Sequence, residues 1–194
     1  MTTHQGKPAD RTAAGGGVWG GGGVVHGDLL AAKALVYDPC GFVCSVPVAE
    51  AESAAYGAHG FSVDGLAVLF RTAKVTPTKV GQFVTVWKRA AGGPIQPFDR
   101  ADPIDLFVIS ARDGDHFGQF VFPMDALRRH GVVATDGRGG KRAFRVYPPW
   151  VTTANRQAGQ AQAWQLDHFL HLDRDAGVDC GRARAFYRSG RAEG

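Results

Sequence analysis

No apolar run in this sequence approaches the roughly 20 residues that cross a bilayer as a helix. The start also lacks a basic stretch followed by an apolar h-region, so export is not indicated and cytoplasm is the expected compartment. Cysteine is scarce. Cys40, Cys44 and Cys180 make an odd count without framework spacing, which argues against a disulfide scaffold. They are expected to be reduced, partly buried thiols. A zinc site at Cys40 and Cys44 requires a second ligand pair, and among the histidines only His168 and His171 lie close together. No metal is therefore expected. Serines are few, no Gly-x-Ser-x-Gly elbow occurs, and His116 has no obvious Ser or Cys partner, which weakens nucleophilic hydrolysis. The dinucleotide and Walker glycine patterns are missing too. The run Gly15 to Gly23 lacks the lysine and following helix that phosphate cradling requires.

What is present describes an ordinary globular chain. Its 194 residues are 44% hydrophobic and 21% charged, enough for one domain with a core. The net charge of +4 is a mild basic bias. It permits nucleic acid, an anionic membrane or an acidic small molecule as partner and does not choose among them. Residues 1–27 read as a Gly-rich flexible tail with Trp19 incidental to it, 28–172 as the folded domain, and 173–194 as a mobile basic tail carrying Arg174, Arg182, Arg184, Arg188 and Arg191.

Within the domain, Asp28 is placed to cap a helix running through Leu35, and Glu50 to Tyr56 reads as a short helix. Phe61 to Val63 and Leu66 to Lys74 flank Asp64-Gly65, a two-residue hairpin signal. Phe83 to Arg89 alternates, with Phe83, Thr85 and Trp87 on what reads as the core face. Ile104 to Ser110 is apolar on both faces, as in a central strand. His116 to Phe122 and Ala143 to Tyr147 are further strands, with a short helix at Asp125 to His130. Helical spacing runs from Thr153 to Leu172. Helix, strand block, helix predicts an α+β fold: a single compact domain with a mainly antiparallel central sheet flanked by helices.

Several segments carry groups suited to anions. Arg71, Lys74, Thr76 and Lys79 surround a Pro77 turn, where hydroxyls, ammonium groups and backbone N–H groups suit one phosphate, or simply form a solvated turn. Trp87 with Lys88 and Arg89 fits base stacking beside phosphate neutralisation, or the end of an edge strand. Arg145 and Tyr147, with Lys141 roughly in register, fall on the face opposite Phe144 and Val146, with Arg142 beside them in sequence and Trp150 following, as a phosphate- and base-contacting face or as an amphipathic edge strand whose Arg pairs with a local carboxylate. Gln157, Gln160, Gln162 and Gln165 line a helix around Trp164, and an amide can read a base edge or merely be a neutral helix former. Asp105 with Lys74 supplies part of a metal-nuclease set, but no acidic residue stands two places before the lysine.

The ordered set Phe70-Arg-Thr-Ala-Lys-Val-Thr-Pro-Thr-Lys-Val-Gly-Gln-Phe83, Trp87-Lys88-Arg89, Asp105-Leu-Phe107, Gly118 to Pro123, Gly140-Lys141-Arg142, Arg145 to Trp150 and Gln162 to Gln165 resembles the MepB-like family. The resemblance spans roughly Asp28 to Leu172, and both tails fall outside it. It implies association with multidrug-efflux genes in some bacteria and is compatible with a nucleic-acid-binding role. It carries over no catalytic residues. The expectation is a cytoplasmic, non-enzymatic protein that binds DNA or RNA with low sequence specificity and needs no cofactor or membrane. Its binding residues would be Arg71, Lys74, Thr76, Lys79, Lys88, Arg89, Lys141, Arg142, Arg145, Tyr147, Trp150, Gln162 and Gln165. One alternative is a divergent nuclease using magnesium or manganese at Asp105 and Lys74. The other is a small-molecule- or protein-binding accessory factor in drug or stress response, with Trp87, Tyr147 and Trp150 around a pocket.

Overall fold

The computed structural model describes residue 19 and residues 24–89, 92–172 and 177–190. In chain order the elements begin with α1 (Gly27–Ala32), a π-helical turn (Lys33–Tyr37), β1 (Val48–Ala49) and a 3-10 helix (Ala51–Tyr56). Then come β2 (His59–Val63), β3 (Leu66–Thr72), β4 (Lys74–Thr76), β5 (Lys79–Thr85), β6 (Trp87–Arg89) and β7 (Ile95–Pro97). β8 (Leu106–Asp113), β9 (His116–Pro123), α2 (Met124–Arg129), β10 (Ala143–Val146), α3 (Arg156–Leu166), β11 (Phe169–His171) and α4 (Cys180–Arg188) complete the chain.

A six-stranded sheet in the order β1-β2-β3-β8-β9-β11 forms the centre. Its neighbours are antiparallel except β3 and β8, which run parallel. A parallel neighbour demands a crossover connection. Here the crossover contains most of a second sheet, β10-β5-β4, and the ribbon β6-β7. The Asp64-Gly65 hairpin joins β2 to β3, with both turn residues at positive φ (49° and 84°), as a tight right-twisted hairpin requires.

Residues Leu106 to Ala111 of β8 are buried at every position, because each face of the sheet is covered. Leu106 and Val108 join Val36, Phe70 and Tyr187 in one cluster, under α1, the π-helical turn and α4. Phe107, Ile109 and Ala111 join Val84, Val86, Phe144 and Val146 in the other, under the second sheet. The fold is α+β, one compact domain with a mainly antiparallel sheet flanked by helices.

Several local expectations are corrected. His26, not Asp28, caps α1: the Asp28 N–H donates to its Nδ1 at 3.1 Å. Asp28 instead pairs with Arg112 at 2.8 Å. Val84 of β5 and Val86 just after it face the core, while Phe83, Thr85 and Trp87 are only half-buried on the other side. Both faces of that segment carry apolar side chains, so alternation alone could not orient it. The helical spacing after Thr153 ends at Leu166, and Phe169 to His171 pair with β9 as an edge strand.

The chain beyond 173 is not wholly a tail. Asp179 caps α4 through the Arg182 N–H, and Ala183 and Tyr187 are buried in the core. Arg174 and Arg191 lie outside the described residues, as do 1–18 and 20–23 of the Gly-rich segment. Trp19 is buried, packed edge-on to Phe61 at 5.8 Å, so it is part of the core rather than incidental. The thiols are also corrected. Cys40 and Cys180 form a disulfide across 140 positions, and Cys44 is free.

Candidate nucleic-acid interface

β4, β5 and β10 are three short antiparallel strands, and their register decides the site. Lys74 pairs with Phe83, and Phe83 pairs with Arg145. Two cations 71 positions apart in sequence therefore share one row, with an aromatic between them. Strands lie about 4.8 Å apart, so the row is about 10 Å wide. Burial of Phe144 and Val146 beneath the sheet leaves this face outward.

The row is ordered by side-chain contacts. Tyr56, from the 3-10 helix, packs on Phe83 at 6.2 Å, and the Lys74 ammonium lies 4.7 Å from the Tyr56 ring centre. The Arg145 guanidinium sits 5.9 Å from the Phe83 ring. It donates to the Gly81 carbonyl at 2.9 Å and to Thr76 Oγ1 at 2.7 Å, with a longer bond to the Lys79 carbonyl at 3.3 Å. These acceptors are neutral, so they fix the guanidinium without cancelling its charge. Gly81 has φ +80°, and a Cβ there would lie 2.6 Å from the Tyr147 ring. Only glycine fits both the turn and the stacked tyrosine.

Lys79, Lys141 and Arg142 are exposed nearby in sequence or sheet. Gly140, at φ +78°, sets up Lys141: a Cβ would meet the Ala134 backbone at 2.9 Å. Among the described residues, Lys74, Lys79, Lys141, Arg142 and Arg145 enter no ion pair.

Other expected binding residues are engaged elsewhere. Arg71 is completely buried, with Nη2 2.6 Å from Glu50 and Nη1 donating to the Phe70 carbonyl. Burial holds its pKa below the ordinary value, against the pull of Glu50. Arg71 is thus a core ion-pair residue, not a phosphate contact. Lys88 pairs with Asp102, and Arg89 with Glu52 at 3.1 Å, which neutralises both. Trp150 stacks on His116 at 5.1 Å and edges Phe169, so it closes the sheet end. Gln162 donates to the Pro148 and Val151 carbonyls, holding the loop before α3. Gln165 is buried; its amide donates to the Arg145 carbonyl at 3.0 Å and accepts from the Tyr147 N–H at 2.8 Å. It seals the free edge of β10 as another strand would.

Asp105 and Lys74 do not meet. Asp105 accepts from the Ala67 N–H at 2.7 Å, at the beginning of β3. Lys74 lies seven residues further along that direction, roughly 20 Å away at strand rise. Among the described residues no three of His, Cys, Asp or Glu are grouped to hold a metal ion. Tyr147 lines a groove between β10 and α3 without Trp87 or Trp150.

The sequence reading missed Tyr56 and Phe83 as members of the face. Phe83 alternates with the buried Val84, a signal read with the wrong orientation.

The family model described as MepB-like matches residues 50–171. This chain belongs to the MepB-like family. It is similar to a solved structure described as the crystal structure of MepB, at 36% identity and a TM-score of 0.65, with 68% of this chain and 88% of that chain covered. A search of curated proteins finds no match. Those five cations fall inside the MepB-like region, whereas α1, the disulfide and α4 lie outside it.

Proposed function

We propose that this MepB-like protein binds nucleic acid without sequence specificity through the outward face of β4, β5 and β10. The observation that carries the reading is the row Lys74, Phe83, Arg145, whose two cations have no carboxylate partner among the described residues. Lys79, Lys141 and Arg142 extend the positive charge, and Thr76 and Tyr147 line it. Fixed cations beside aromatic rings suit phosphate neutralisation together with base contact. The nuclease alternative loses its candidate pair, since strand rise sets Asp105 and Lys74 too far apart to share a metal. With its nucleic acid the protein belongs in the cytoplasm; no helix among the described residues is long and apolar enough to cross a membrane. Disulfides seldom persist in that compartment. The Cys40–Cys180 bond is therefore expected to open there and to close on oxidation.

The test is fluorescence anisotropy with labelled DNA and RNA across a salt series. Five phosphate contacts on a single strand predict about a hundredfold loss of affinity between about 50 and 200 mM salt. Absence of binding at the lowest salt, or affinity indifferent to salt, refutes the reading. Incubation with magnesium or manganese is expected to leave the nucleic acid intact, and specific cleavage would favour the nuclease alternative.

A further inference from the structure

We propose that the groove between β10 and α3 receives an unpaired base, so that the protein prefers single-stranded nucleic acid to duplex; this rests on the nucleic-acid reading of the adjoining face. The groove has a volume of about 850 Å³ and is continuous with that face through Arg145 and Tyr147, which line it.

Its two walls differ in chemistry. Lys141 and Arg145 stand on the strand side. Gln157, Gln160 and Trp164 stand on the helix side, brought to one face by helical spacing, with the Asp167 carboxylate at the end of α3, so the positive charge is confined to the strand side. A duplex presents phosphates on both flanks of each groove and keeps its base edges paired. A single strand presents phosphates along one side and open bases along the other. The one-sided charge of this groove matches the single strand.

The amides divide by use. Gln162 and Gln165 are spent inside the protein, as described above. Gln157 and Gln160 are exposed and, among the described residues, bond to nothing. Each offers a donor and an acceptor, the complement of a base edge freed from its partner. Ala161 beside them leaves the space open. Trp164 is held flat by His130, whose ring stacks on it at 4.0 Å and 6°. That stack forms a rigid aromatic end for the groove. Phosphates flanking the base would rest on Lys141 and Arg145.

The experiment compares the full chain on a labelled single strand of about 20 nucleotides and on the duplex of the same sequence, by anisotropy at fixed low salt. Wild type is expected to bind the single strand about tenfold more tightly. Gln157→Ala with Gln160→Ala is expected to remove about tenfold from single-strand affinity and nothing from duplex affinity. Ala161→Trp, which fills the groove from α3, is expected to do the same. Unchanged thermal midpoints certify the fold of each variant. Equal affinity of wild type for both forms, or variants that bind the single strand as wild type does, overturns the groove while leaving the basic face standing. Absence of binding to either form overturns both.

Discussion

Opening the Cys40–Cys180 disulfide should weaken the fold without dissolving it. The bond joins residues 140 positions apart and so encloses the entire matched region, 50–171. In the chain-entropy view, closing a loop of this length in the unfolded state is worth about 5 kcal/mol. That is a large share of the roughly 5–15 kcal/mol that holds a typical domain. For a chain of this size it corresponds to a fall in Tm of about 10–20 °C. The folded state has other anchors for α4. Tyr187 donates to the Tyr37 hydroxyl at 3.0 Å inside the core, and Arg184 holds the Cys40 carbonyl at 2.8 Å. Thermal unfolding by circular dichroism, with and without a dithiol reductant and for Cys40→Ser with Cys180→Ser, measures the loss. Maleimide labelling of denatured, unreduced protein should mark one thiol, that of Cys44. In the folded protein burial pushes the Cys44 thiol up to about 12, so it should react slowly at neutral pH. Labelling of all three thiols in protein that has first been oxidised, or a Tm of the oxidised protein indifferent to the double substitution, would refute the reasoning.

Glu50→Ala strands the buried Arg71 guanidinium and should cost about 2–3 kcal/mol, moderated by partial exposure of Glu50, while Arg71→Met with Glu50→Leu should recover most of it; urea denaturation reads both. Gly81→Val forces a β-branched residue to φ +80° and into the Tyr147 ring, and should cost about 2 kcal/mol or more in the same assay. His168 has its pKa lowered, chiefly by burial. Its unfolded form therefore takes the proton first, so this stabilisation is whole above about pH 6.5 and declines as pH falls through and below that value. Urea midpoints at about pH 7.5 and 5.5 should show the decline, and His168→Asn should flatten it.

The parts legible in the sequence were the local ones. The Asp64-Gly65 turn, the doubly buried β8 and the two faces of β10 follow from turn chemistry and a period of two, each contained in a few residues. The pairing of Lys74 and Arg145 was not legible, because it depends on the register of β5 against two strands from distant parts of the chain. Arg71 was misassigned for a related reason. It stands only three positions before Lys74 in sequence, yet it faces the interior between the sheets, where Glu50 meets it. The helix α4 was hidden by its arginines. Ala183, Phe186 and Tyr187, spaced as one helical face, were the signal that would have found it.

The central claim is that unpaired cations on the β4-β5-β10 face neutralise phosphates, and the slope of log affinity against log salt tests it most directly. For a single strand, Lys74→Gln with Lys141→Gln should reduce that slope by about 1.4, two contacts at about 0.7 each, whereas Arg188→Gln on α4, across the six-stranded sheet, should leave it unchanged. A slope unaltered by the first pair, or lowered equally by the α4 substitution, would contradict the account.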